Sequence, residues 1–224
     1  MDLSVIYDNL GYLLLGQWPD GPVGGAALTL LLSLGSALAS AVLGLLLGVI
    51  LAISHGRPQG ALASFIGFFR AIPILMLIFW TYFLLPIAFG IDVPGVLSVM
   101  CALSLVGGAY LSHSVNAGIQ GVRAGQWQAG LSLGFTRLET LRYVILPQAL
   151  RIMLPSFINQ WVSLIKDTSL AYIVGVGELS FIAAQVNSRT MIYPAEVFLF
   201  VGGIYFVLCF SLSSMAGYLT RSLR

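Results

Sequence analysis

Charge is what this sequence most conspicuously lacks. Of 224 residues, 10 are Lys or Arg and 8 are Asp or Glu, together 8%, against about 25% in a soluble domain. So few charges cannot clothe a water-facing surface, which excludes a soluble globular enzyme; a disordered chain would need the opposite composition. The formal net charge of +2 is too small to argue for nucleic acid or for an electrostatic membrane anchor. Cysteine is scarce: Cys101 and Cys209 both lie in apolar runs, without a second Cys or a His at metal-ligand spacing, and read as small packing residues. The two histidines, His55 and His113, have no acid nearby in sequence to orient them, and no Ser/His/Asp arrangement stands out. Lysine occurs once, as Lys166 between Ile165 and Asp167, so the Gly-Lys-Ser/Thr of a phosphate-binding loop is missing. Neither a metal nor an organic cofactor is expected. Asp2 and Asp8 stand where a cleavable signal would carry Lys or Arg.

What is present is apolar. Hydrophobic residues make up 58% of the chain, and the mean hydropathy is +0.97. Long Leu/Val/Ile runs with 25 glycines fit a helical bundle better than a barrel, whose strands alternate polar and apolar. A helix crosses the hydrocarbon core in about 20 residues. Runs at 24–53, 61–89, 93–115, 147–165 and 195–219 predict an all-α integral membrane protein with five transmembrane helices. Residues 1–22 read as an external amphipathic lead-in too polar to span, and 23–220 as the transmembrane domain. With the N-terminus outside, Arg57, Arg70, Arg123, Arg137, Arg142, Arg151, Arg221 and Arg224 fall on the cytoplasmic side, leaving only Lys166 and Arg189 outside. The positive-inside rule therefore puts the N-terminus outside and the C-terminus in the cytoplasm.

The longest polar excursion, at about 121–146, reads as two short cytoplasmic helices. Residues 124–133 are helix-compatible, and Gly134 supplies a left-handed stop. Thr136 followed by Glu139 is a capping box that should start the second helix. Leu138, Leu141 and Ile145 share its apolar face, Arg137 and Arg142 face water, and Pro147 opens the fourth span at a first-turn position. Such an element either docks a cytoplasmic partner or merely links two spans.

Gln128-Ala129-Gly130, three residues, Gly134, nine residues and Val144-Ile145-Leu146-Pro147 resemble the EAA signature of ABC-transporter permeases: E-A-A, three residues, G, nine residues, I-x-L-P. Spacing matches throughout; Gln128 replaces Glu, Gly130 replaces Ala and Val144 replaces Ile. Phe69-Arg70-Ala71-Ile72-Pro73, Ala117-Gly118-Ile119-Gln120, Gly125-Gln126-Trp127 and Lys166-Asp167-Thr168-Ser169-Leu170 resemble the polar amino acid uptake branch, and the segment 69–86 is most similar to glutamate and aspartate permeases. The resemblance implies a MetI-like importer permease fold in the bacterial inner membrane. It also implies a second permease subunit, an ABC ATPase dimer on the coupling loop (Gln128, Ala129, Gly130, Gly134, Val144, Leu146, Pro147), and an external, periplasmic binding protein delivering a polar amino acid. The subunit itself would be non-catalytic, with ATP hydrolysed on its partner. Gln128 could offer the ATPase only a neutral hydrogen bond where Glu offers a charge-assisted one.

Asn159, Ser163, Lys166 and Asp167 recur at helical spacing, followed by Thr168 and Ser169. A charge in hydrocarbon costs ~2.5–3.5 kcal/mol on insertion scales unless it pairs or meets water. Adjacent Lys166 and Asp167 lie about 100° apart on a helix, so they either line a substrate pathway or pair at a subunit interface. Gly175 and Gly177 suggest a helix break beyond them. Glu178 reads as the cap of a short outer helix and Arg70 as a side chain snorkelling to the cytoplasmic interface. Gly44 and Gly48, at GxxxG spacing, permit close helix contact. Two rival functions stand beside an importer permease. A secondary transporter needs matching internal halves, which five spans do not offer; a structural or assembly subunit has no use for the Lys166-Asp167 pair.

Overall fold

The computed structural model describes residues 4–222, with side chains to Tyr218. Asp2, read above against a cleavable signal, and Arg224 and the side chain of Arg221, used in the topology count, lie outside the described residues. Nine helices follow one another among the described residues: α1 (Ser4–Leu15), α2 (Gly25–Ile53), α3 (Arg57–Ala71), α4 (Ile74–Phe89), α5 (Gly95–Gln120), α6 (Ala124–Ser132), α7 (Arg137–Val174), α8 (Leu179–Thr190) and α9 (Pro194–Ser222). Four of them, α2, α5, α7 and α9, are long and apolar enough to span a membrane, and α3 with α4 makes a fifth candidate.

The run at 61–89 is the one whose shape differs from a single straight span. It bends by 96° between α3 and α4. Pro73 explains the break: it has no N–H to donate and disfavours helical geometry at the residue before it. Ile72 accordingly sits at φ −80°, ψ 135°.

The centre of the bundle is α2 against α5. A Cβ on Gly44 would come within 2.5 Å of Leu111 Cβ, and one on Gly48 within 2.5 Å of Val115 Cβ and 2.6 Å of Ser112 O. Without side chains at these positions the two backbones approach closely, which replaces the hydrophobic drive that lipid cannot supply between helices. Above this contact, Leu32, Leu103, Val106 and Leu164 form one buried cluster. Below it, Leu111, Val115, Leu141, Ile145 and Met153 form another, tying α7 to α5. The lead-in α1 is a helix that buries Leu13 and Val5 against Leu179, Val186 and Val201 of α8 and α9.

Helix α7 is longer than the expected fourth span. It runs α-helically from Arg137, loosens into a π turn at Leu141–Ile145, continues as α-helix over Leu146–Asp167 and tightens to 3-10 over Thr168–Val174. Pro147 therefore sits in the first turn of the long α segment, with the helix from Arg137 continuous behind it.

Candidate functional site

Two polar regions stand out in this apolar chain, and each is built by local sequence. The first is the turn between α6 and α7. Gly134 adopts φ +87°, the left-handed region that a side chain enters only at a cost. Leu133 N and Phe135 N both donate to Gly130 O at 3.2 Å, closing α6. The Thr136 capping box forms in full: Glu139 N donates to Thr136 Oγ1 at 3.2 Å, and Thr136 N donates to Glu139 Oε2 at 2.8 Å. Gly130 is buried, and a Cβ there would come within 2.5 Å of Thr140 Cγ2. That contact accounts for glycine at the third position of the signature. Gln148 Nε2 bridges back to Gln126 Oε1 at 3.2 Å and to Val144 O at 2.8 Å, pinning α6 to α7. Gln128 and Ala129 are exposed, as are Gly134 and Pro147, whereas Val144 and Leu146 are half-buried against α5. Arg137 and Arg142 are exposed as expected, but Leu138 is 68% exposed while Leu141 and Ile145 are buried.

The second region is the polar face of α7. Asn159 and Lys166 are exposed; Ser163 and Asp167 are half-buried. Ser156, one turn from Asn159, joins His113, Ser114, Ala117 and Ile152 in lining an open cleft of about 350 Å³ between α5 and α7. Of the six residues expected along a pathway, Thr168 has no face to offer: it is fully buried, and its hydroxyl donates to Ile165 O at 2.7 Å. Ser169 Oγ donates to Lys166 O at 2.7 Å, so both hydroxyls help turn α7 from α-helix into 3-10. Gly175, at φ +76°, ends it. Arg70 is exposed, and its guanidinium lies 5.0 Å from the centroid of the Tyr110 ring of α5, a cation–π contact.

Glu178 is the cap of α8, as expected. Its Oε2 accepts from Ser180 N at 2.9 Å and its Oε1 from Phe181 N at 2.9 Å. No sequence pattern signals that Tyr205 of α9 donates to the same carboxylate at 2.8 Å, or that Thr29 of α2 lies beside it, accepting from Leu179 N at 3.1 Å. Gly25 N donates to Gly177 O at 2.9 Å and completes the junction of α2, α8 and α9. Burial pushes the Glu178 carboxyl above its ordinary value, against the opposing pull of Ser180 N–H, the Tyr205 hydroxyl and Phe181 N–H.

Residues 44–224 match the family described as binding-protein-dependent transport system inner membrane component. The chain belongs to this family. It is 33% identical over 229 residues to the glutamate/aspartate import permease protein GltK of Escherichia coli O157:H7, covering 98% of this chain and 97% of that one. It is 32% identical over 224 residues to the probable glutamine ABC transporter permease protein GlnM of Bacillus subtilis, covering 100% and 98%. Among solved structures, an amino acid ABC transporter superposes with a TM-score of 0.79 at 29% identity over 88% of this chain and 92% of that one. The inward-facing MetNI methionine ABC transporter superposes with a TM-score of 0.77 at 20% identity over 88% and 93%, a likeness of fold. The protein is therefore an inner-membrane permease subunit of an amino acid ABC importer, a non-catalytic member of an assembly whose ATP is hydrolysed on another subunit. Family membership implies an ATPase, a substrate-binding protein and a second permease as partners.

Proposed function

We propose that this permease carries glutamate or aspartate, and that Lys166 meets the substrate carboxylates as they pass. The observation that supports this is Lys166 itself: the sole lysine of the chain, exposed on the face of α7 that carries Asn159. A cation held within a spanning helix faces water or an anion rather than lipid. Asp167 and Ser163, half-buried beside it, are suited to the substrate ammonium, while Thr168 and Ser169 shape the break in the helix. In this reading 23–220 is the transmembrane domain, 1–22 lies outside and the C-terminus inside. The turn at 121–146 carries Gln128, Ala129, Gly130 and Gly134 to the ATPase.

Uptake of labelled glutamate, aspartate and glutamine into vesicles holding the permease, its ATPase and its binding protein tests this. Lys166→Gln should lower glutamate uptake about tenfold, the effect of about 1.4 kcal/mol on a barrier, and by more than Asp167→Asn does, with assembly intact on size-exclusion chromatography. Wild-type uptake that favours glutamine tenfold would transfer the assignment to glutamine. Loss of assembly in either variant, without a transport defect in the intact fraction, would make the pair an interface contact.

A further inference from the structure

At the coupling-loop end of the bundle, the last turn of α2 faces α6 and α7 across a cavity of about 410 Å³. Its polar lining is His55 and Arg137, and Trp127, Ile53, Leu131 and Leu138 supply apolar walls. No carboxylate is among the described residues that line it. Ile53, which lines the cavity, is the last of a stripe of exposed side chains on α2, Leu38, Val42, Leu46, Ile50 and Ile53, spaced by three or four residues. From Val42 to Ile53 this stripe runs about 16 Å along the helix, close to half of a hydrocarbon core of about 30 Å. With Ile53 at the end of the span, such a stripe is long enough for the first half of one acyl chain. The cavity is distinct from the docking face of α6. Trp127 and Leu131 lie one turn apart on the side toward α2, whereas Gln128, Ala129 and Ser132 are exposed on the other side.

We propose that this cavity binds an anionic phospholipid, its phosphate between His55 and Arg137 and one acyl chain along the α2 stripe. A cationic, acid-free lining selects the anionic headgroup, and the continuous apolar stripe selects a lipid over a free anion. The assignment rests on the permease reading only for which leaflet supplies the lipid.

The test places the full-length permease in nanodiscs of phosphatidylcholine doped with phosphatidylglycerol and counts co-released lipid by native mass spectrometry. Wild type should retain phosphatidylglycerol in preference to phosphatidylcholine. Arg137→Gln should lower retention about fivefold, the worth of one basic side chain near anionic lipid, His55→Gln should lower it by less, and Arg137→Lys, which keeps the charge, should restore it. Equal retention by wild type and the His55→Gln/Arg137→Gln double variant would overturn the proposal. Displacement by millimolar inorganic phosphate would make it a free-anion site, and displacement by added ATPase would make it part of the docking face; either result overturns the lipid. Retention is read without substrate or nucleotide, so it can fail while import stands, and import can fail with lipid still bound.

Discussion

Replacing Glu178 probes the junction that holds α2, α8 and α9 together. In Glu178→Ala, the N–H groups of Ser180 and Phe181 lose their cap and the half-buried Tyr205 hydroxyl loses one partner, keeping Ser180 Oγ at 3.1 Å. A lost cap costs about 1 kcal/mol, and one lost hydrogen bond about 0.5–1.5 kcal/mol. The sum, about 1.5–2.5 kcal/mol, should lower the melting temperature by about 3–10 °C for a chain of this size. Glu178→Gln keeps one acceptor oxygen and should cost less. Its penalty depends on pH, with a sign that follows from burial. A carboxyl pushed above its ordinary value by desolvation holds its proton more tightly when folded. Stability from this group is therefore greatest below the ordinary glutamate range and falls as pH rises through the raised value. Glutamine does not titrate, so the gap between wild type and Glu178→Gln should narrow as pH rises from the acid side. Intrinsic-fluorescence melts of the detergent-solubilised protein across that range measure it. A gap that widens with pH, or a Glu178→Ala variant that melts within about 1 °C of wild type, would refute the argument.

Three further outcomes are expected. Gly130→Ala should drive a methyl into Thr140 and cost about 1–3 kcal/mol, and Thr140→Ala in the same chain should restore most of it; ATPase co-purification and melting of the single and double variants measure the coupling. Gly48→Val should separate α2 from α5 and lower detergent stability by more than Gly60→Val, since a Cβ on Gly60 would meet nothing within 4 Å. Cysteines introduced singly at Asp20 and Ser132 in a Cys-free background should react with impermeant reagents from opposite sides of the membrane; labelling of both from one side would contradict the five-span topology.

How much of this was legible in sequence depended on how far apart the interacting groups lie. The capping box of Thr136 and Glu139, the left-handed Gly134 and the break after Asp167 are local, set within a few residues by hydrogen bonding and steric rules, and all three are present. The long apolar runs located the spans for the same reason. Pro73 was visible, but the size of the bend it permits depends on what α3 and α4 pack against. Tyr205 meeting Glu178 across 27 residues and Arg70 meeting Tyr110 across two helices are tertiary events that no local pattern encodes. Thr168 shared a polar run with Lys166 and Asp167, yet the tightening to 3-10 helix turns it into the core.

The continuity of α7 has a mechanical consequence. Between Arg137 and Asp167 there is no loop to absorb motion, only about 45 Å of helix. Two points within it can bend: the π turn at Leu141–Ile145 and Pro155, whose missing N–H leaves Arg151 O without its helical donor. Arg137 stands about 27 Å from Pro155 and Asp167 about 18 Å. A bend of about 5° at Pro155 would displace the Arg137 tip by about 2 Å relative to the charged end. How much of a push on one end reaches the other is set by how far these two points give.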